Sequence, residues 1–286
     1  MDIIIPIYNP SEHRITNLEF ILNELTDISA NVHVIEQLSD NKCVSNLLKK
    51  HKDINYFVFD IDNNTFNKSI LINKSVEKIN SDLIWILDAD VFLNYKYVIK
   101  NIPQNIEFMR PFDKIITLNE EETTMLKQTN KIKLSSREYN TYSGYGKYSF
   151  IIQKKLFNQI GGFNENFKGW GFQDLDFIKK IPVNCYKGHT DNIGFHLFHD
   201  KQSREYYKDN KNLFNNLNER RTSRKSNNTL KTEDKKSEEE YYEDEKEEQR
   251  PIKRVMPPRP ILASEQTNIV NKTQPNWPRP QIIFIH

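Results

Sequence analysis

Apolar and polar positions along the first ninety residues switch between two periods. Ile3-Ile4-Ile5-Pro6-Ile7-Tyr8, Val32-His33-Val34-Ile35-Glu36-Gln37 and Tyr56-Phe57-Val58-Phe59 are short apolar runs that read as strands, the first broken by Asn9-Pro10. Between the first two, Ile15, Leu18, Ile21, Leu22 and Leu25 recur at helical spacing after Ser11, and Cys43 to Leu48 suits a short helix. Ile70 to Ile79 is helical in period again. It leads into Ile84-Trp85-Ile86-Leu87-Asp88-Ala89-Asp90, an apolar run that ends in two acids and reads as a strand buried on both faces. This alternation is that of βαβ units in a largely parallel sheet.

Further on, Phe112 to Leu118 reads as a strand followed by an acid-rich loop or helix. A Tyr/Gly/Ser-rich segment, Tyr139 to Gly146, precedes a strand at Tyr148 to Ile152. A short helix around Leu156 to Ile160 and a glycine-rich segment, Gly161 to Gly171, come next. Asp174 to Ile181 reads as a helix, and Gly194 to His199 as a last strand or its exit. After about Asn218 the character changes. Arg220 to Arg250 alternates basic and acidic blocks, and Pro251 to Pro280 is proline-rich. Such segments bury too little apolar surface to offset ordering entropy. The expected organisation is a folded domain over 1–217 and a charged, Pro-rich, disordered tail over 218–286. Pro257-Pro258-Arg259-Pro260 and Trp277-Pro278-Arg279-Pro280 offer a polyproline segment that can dock a partner protein, a solvated linker being the plainer reading.

Composition narrows the classes. A hydrophobic fraction of 37% and a mean hydropathy of -0.74 are low for a wholly globular chain and agree with the tail. A net charge of +2 makes no general case for nucleic acid or a membrane surface. Cys43 and Cys185 are too few and too isolated for a disulfide framework or a cysteine metal site. No apolar run approaches the roughly 20 residues of a membrane span. Met1 to Pro6 runs straight into a strand without a basic leader, so the expected compartment is cytoplasmic.

Three stretches carry candidate chemistry. Asp88 and Asp90 are two apart, so in extended chain their carboxylates leave on one side. In an open α/β sheet, ligands bind beyond the carboxyl ends of the strands. Paired carboxylates there suit a hard divalent cation, and such a cation suits a substrate diphosphate; the plainer reading is an acidic turn. In Gly161 to Asp176, glycines allow close backbone approach to a ligand, and Trp170 lies between two of them with a face for a sugar ring. Asp174 opens a helix, where it is either functional or a capping acid, and Asp176 is equally well structural. His196 and His199, beside Asp200, supply a further metal ligand, whereas His33 and His189 read as structural or surface residues.

In order along about the first 200 residues, these landmarks resemble those of GT-A fold glycosyltransferases of the inverting β-1,4-galactosyltransferase and chondroitin-polymerase type (family 2 or family 7 C-terminal-like). Ile4 to Asn9 resembles the nucleotide-binding first strand, and Phe66-Asn67-Lys68-Ser69-Ile70-Leu71-Ile72-Asn73 the segment that touches uridine diphosphate. Leu87 to Asp90 is similar to the Asp-x-Asp metal motif. Gly161-Gly162-Phe163 with Gly169-Trp170-Gly171 and Asp174 resembles the acceptor segment, and His199 falls where such enzymes place a metal-binding His.

The resemblance implies an α/β, Rossmann-like nucleotide-diphospho-sugar transferase. It implies Mn²⁺ (or Mg²⁺) on Asp90 and His199, with Asp88 near the ribose or the metal and His196 as an extra ligand. It places Pro6, Tyr8, Phe66 and Lys68 along the uridine and phosphates, Glu36 against the nucleotide, Trp170 on the sugars, and Asp174 as general base. The implied reaction moves a hexose or N-acetylhexosamine from a UDP-sugar to a hydroxyl of a glycan or glycosylated protein. Two departures stand out. Phe172-Gln173 replaces the family's Gly-Glu, and Lys68 stands where Arg is common, losing the bidentate fork. A GT-A domain that binds nucleotide-sugar with weak or no catalysis is therefore an alternative. A nucleotidyltransferase is disfavoured by the lack of a Gly-rich phosphate loop after Ile3-Ile4-Ile5.

Overall fold

The structure, a computed structural model, describes residues 1–225 except 62–64, 133, 135–138, 145, 146 and 202. The polyproline and acidic stretches beyond 225 lie outside the described residues.

The first half follows the expected alternation. Strand β1 (Asp2–Ile7) is followed by helix α1 (Glu12–Glu24), β2 (Asn31–Gln37), α2 (Cys43–Leu48), β3 (Asn55–Phe59), α3 (Lys68–Lys78) and β4 (Leu83–Leu87). β1 pairs in parallel with both β2 and β4, and β2 with β3. Buried side chains alternate between the two faces of this sheet. Ile3, Ile5, Val32, Val34 and Trp85 belong to the core shared with α1 and α2. Ile4, Ile35, Ile84 and Ile86 pack with Leu71, Ile72 and Val76 of α3. A strand covered on both sides has no polar face, hence the continuous apolar runs.

The second half adds β5 (Val91–Phe92), α4 (Tyr95–Lys100), β6 (Phe108–Arg110), β7 (Lys114–Thr117), α5 (Glu120–Thr129), β8 (Thr141–Tyr142), β9 (Ser149–Gln153), α6 (Lys154–Gln159), α7 (Gln173–Lys180), β10 (Lys187–His189), β11 (Ile193–His196) and α8 (Tyr207–Lys225). The main sheet has the order β10-β6-β9-β4-β1-β2-β3, and a smaller sheet the order β5-β11-β7-β8. β9 runs antiparallel to β4 and β6. The acid-rich stretch after β7 is a helix because Asn119 and Glu122 form a reciprocal capping box ahead of it.

Two expectations change. The run ending at Asp90 is not extended to its end. β4 stops at Leu87, and the Val91 amide donates to the Asp88 carbonyl at 3.2 Å, closing a turn into β5. β5 pairs with β11 in the smaller sheet, so the chain changes sheets at Asp88-Ala89-Asp90. The turn, not strand alternation, aims both carboxylates at one cleft. The second change concerns the composition break near 218. Helix α8 runs through it to Lys225, anchored at widely spaced points: Asn210 and Phe214 are buried, and Arg221 pairs with Asp176 at 2.8 Å. With few aliphatic residues, α8 has little periodic signal to read.

Candidate functional site

The cleft lies at the carboxyl ends of β1 and β4, walled by the start of α7 and the exit from β11. Pro6, Tyr8, Phe66, Lys68, Asp88, Asp90, Trp170, Asp174, His196 and His199 all line it. Eleven residues carry the sequence-derived expectations, and ten of them converge here. The exception is Glu36. Its β2 position turns it toward β3, where it is 3% exposed and accepts a hydrogen bond from the Tyr56 hydroxyl. Burial pushes its carboxyl pKa up, with the Tyr56 bond opposing.

At one end, Tyr8 and Phe66 stack with centroids 5.9 Å apart and planes 2° from parallel, forming a flat aromatic wall. Asn67 caps α3 by accepting from the Ile70 amide, which places Lys68 as the first helical residue with its side chain in the cleft. Lys68 Nζ lies 2.8 Å from Asp88 Oδ1 and 3.1 Å from Asp174 Oδ2. Burial alone would pull the ammonium's pKa down, but the charges of Asp174 and Asp88 outweigh it and raise it. Burial also pushes the Asp88 carboxyl up to about 6, with Lys68 opposing and Asp174 and Asp90 adding to it.

Asp90, His196 and His199 form the second group. One ligand atom from each falls within 4.8 Å of the others. Asp90 is 4% exposed and lies 3.3 Å from His199 Nε2 and 3.6 Å from His196 Nε2. Burial would raise its pKa, but His196, Arg14 and His199 hold it down. Burial pushes the His196 imidazole down to about 4, leaving it neutral with a lone pair to offer. A carboxylate with two imidazoles fits a divalent transition ion, and suits Mg²⁺ less well.

Sequence reasoning missed Arg14. It sits in the first turns of α1, with Nη1 3.0 Å from Asp90 Oδ2 and Nη2 3.0 Å from His199 Nδ1. Nothing in its spacing marks it, because its partners are 76 and 185 positions away.

The glycine segment is tied to α3. The Phe163 amide donates to Asn73 Oδ1, and Asn73 Nδ2 donates to the Phe163 carbonyl. Gly162 has φ +59°, and a Cβ there would come within 2.5 Å of Asn73 Oδ1, so no larger residue fits. Trp170, half-buried, stacks on Tyr207 of α8 at 5.7 Å and lies under the Arg204 guanidinium at 5.3 Å. Phe172 keeps the left-handed backbone (φ +67°) that glycine takes more easily. Its ring, 2% exposed, is held against Tyr207 and Phe214. Asp174 does not cap α7. Phe172 is the N-cap residue, Asp174 Oδ2 goes to Lys68, and Oδ1 is buried without a hydrogen-bond partner. Asp176, fully buried against Arg221, is structural.

The mixed α/β sheet, with acids where β4 leaves it and a cleft across its carboxyl edge, has the architecture of a GT-A nucleotide-sugar transferase. The family model described as "Glycosyltransferase like family 2" matches residues 2–220, and the chain belongs to this family of glycosyltransferases. No curated protein matches the chain. Solved structures similar to it include the mannosyltransferase PcManGT from Pyrobaculum calidifontis, in complex with GDP-Man and Mn²⁺. That likeness has 14% identity and a TM-score of 0.48, over 70% of this chain and 57% of that one. GalNAc-T7, with UDP, GalNAc and Mn²⁺, is similar at 12% identity and a TM-score of 0.49, over 69% and 44%. The catalytic domain of Drosophila β1,4-galactosyltransferase 7 shares 16% identity at a TM-score of 0.43, over 72% and 74%. The chain thus spans about half the length of the first two. No helix among the described residues is long and apolar enough to cross a membrane.

Proposed function

We propose that the protein is a metal-dependent, inverting glycosyltransferase. It moves a hexose or N-acetylhexosamine from a UDP-sugar to a hydroxyl of a glycan or glycosylated protein. The observation that carries this reading is the triad Asp88–Lys68–Asp174. It joins the two acid-bearing walls of the cleft, beside the Asp90–His196–His199 cluster.

In this reading the Tyr8–Phe66 wall packs the uracil ring, and Asp88 faces the ribose side. Asp90, His199 and His196 would hold Mn²⁺ (or Mg²⁺), which would supply positive charge to offset that gathering on the departing diphosphate. Trp170 lines the acceptor side of the cleft, where its ring would meet the acceptor sugar once the Arg204 guanidinium moves off it. Asp174 is 21% exposed as a side chain although Oδ1 is buried, so Oδ2 is the oxygen open to the cleft. Lys68 Nζ holds that oxygen at 3.1 Å, and Oδ2 takes the proton of the attacking hydroxyl. Attack on the face opposite the leaving diphosphate inverts the anomeric centre. The catalytic unit extends through α8, whose Tyr207 and Phe214 hold the Trp170–Phe172 segment, and the tail follows it.

The test is UDP release from UDP-glucose, UDP-galactose and their N-acetyl forms, with Mn²⁺ and a panel of glycan acceptors. Acceptor-dependent release with inverted product stereochemistry is expected. UDP binding without release from any donor–acceptor pair would instead favour a nucleotide-sugar-binding domain.

A further inference from the structure

We infer that Arg14 and the divalent cation compete for the same atoms, and that Arg14, once displaced, binds the donor's diphosphate. The inference rests on the metal reading of Asp90, His196 and His199.

Arg14 Nη1 lies 3.0 Å from Asp90 Oδ2, and its Nη2 lies 3.0 Å and 3.2 Å from the two ring nitrogens of His199. A guanidinium only donates, and Nδ1 of His199 donates to the Asp200 carbonyl at 2.7 Å, so the lone pair that faces Arg14 is that of Nε2. Asp90 Oδ2 and a His199 lone pair are what a metal at this cluster would use. A guanidinium and a divalent ion cannot both sit on Asp90 Oδ2 without bringing three positive charges within about 4 Å in a site poorly screened by water. Occupation by one excludes the other.

Displacement is sterically simple. The Arg14 side chain is 20% exposed and already lines the cleft, so it can leave Asp90 by rotating its own χ angles without unpacking α1. Of the other cleft cations, Lys68 is committed to Asp88 and Asp174, Arg204 lies over the Trp170 ring and Lys147 over the Tyr142 ring, with Lys201 also lining the cleft. A freed guanidinium in the same cleft is suited to take diphosphate oxygens in bidentate fashion. Metal alone must therefore displace Arg14 without giving it a new partner, whereas metal arriving with UDP supplies one. Mn²⁺ and UDP then tighten each other's binding, and Arg14 carries much of that coupling.

The experiment measures Mn²⁺ binding by the electron paramagnetic resonance of the free ion, on the full chain, with and without saturating UDP. It compares the unaltered protein with Arg14→Ala, Arg14→Gln, Arg14→Lys and Asp90→Asn. Without UDP, Arg14→Ala and Arg14→Gln are expected to bind Mn²⁺ about tenfold more tightly, with Arg14→Lys in between. The tightening produced by UDP should shrink by about the same factor in the Ala and Gln variants. Equal Mn²⁺ affinity with and without the Arg14 side chain overturns the competition, and an unchanged UDP effect overturns the diphosphate role. Mn²⁺ binding that survives Asp90→Asn, or is missing from every form, overturns the metal reading itself. That pattern differs from a failure confined to Arg14.

Discussion

Lys68 and Asp174, 106 positions apart, meet at 3.1 Å, and the same ammonium reaches Asp88 at 2.8 Å. One cation thus serves two carboxylates from opposite walls of the cleft. The Lys68 side chain is only 9% exposed, so this triad is poorly screened by water. Lys68→Met should lower stability by about 3 kcal/mol at neutral pH, because it strands two carboxylates beside each other. The deficit should shrink as the pH falls and the Asp88 carboxyl, already raised by burial, takes up its proton. Urea unfolding of both proteins at pH 7 and pH 5 checks it, and a pH-independent deficit would point to lost packing instead.

The same geometry separates donor binding from chemistry. Asp174→Asn keeps the shape and removes the proton acceptor, so turnover should fall by roughly 10²- to 10⁴-fold. The affinity for UDP-sugar, read by calorimetry, should stay within about threefold, because the donor wall of Tyr8 and Phe66 is untouched. Equal loss of both would remove Asp174 from the role of base.

Chelation is a separate handle. EDTA should abolish UDP release, and added Mn²⁺ should restore it. Asp90→Asn and His199→Ala should each weaken Mn²⁺ binding by at least about tenfold in direct titration, since each deletes one donor of a three-residue set. If either variant binds Mn²⁺ normally, the ligands lie elsewhere.

Helix α8 makes the end of the folded unit testable. A chain ending at residue 225 should unfold at the temperature of the full protein. A chain ending at 217 loses Arg221 and leaves fully buried Asp176 without its cation, which should cost about 3 kcal/mol or more. Arg221→Met in the full chain should reproduce most of that loss in chemical unfolding.

Far from the cleft, Asp2 is 2% exposed and lies 3.0 Å from His33 Nε2. Burial would raise its carboxyl pKa, but bonds from His33, Asn31 and Ser81 outweigh it and hold the value at about 2, below the ordinary 3.8. A depressed carboxyl stabilises the fold above the unfolded pKa and loses that contribution as the pH falls toward the folded one. Asp2→Asn should therefore destabilise by about 2 kcal/mol at pH 7, the gap closing between about pH 4 and pH 2. Unfolding midpoints of the two proteins across that range decide it.

The sequence by itself determined the layered α/β core and much of the cleft's membership. Buried parallel strands leave unbroken apolar runs, and amphipathic helices leave a 3.6-residue period, so β1 to β4 and α1 to α3 could be read where they stand. Cys43–Leu48 is a helix at the expected residues. Local chemistry also marks Asp88, Asp90, Trp170, Asp174, His196 and His199, because acids, glycines and histidines at strand and helix ends stand out against apolar surroundings. Tertiary structure alone decided how they combine. It set Lys68 between Asp88 and Asp174, brought Arg14 onto Asp90 and His199, turned Glu36 to Tyr56, and ran α8 past the change in composition. Those pairings span 20 to 185 positions, and a charge leaves no periodic trace of the partner it will meet across a fold.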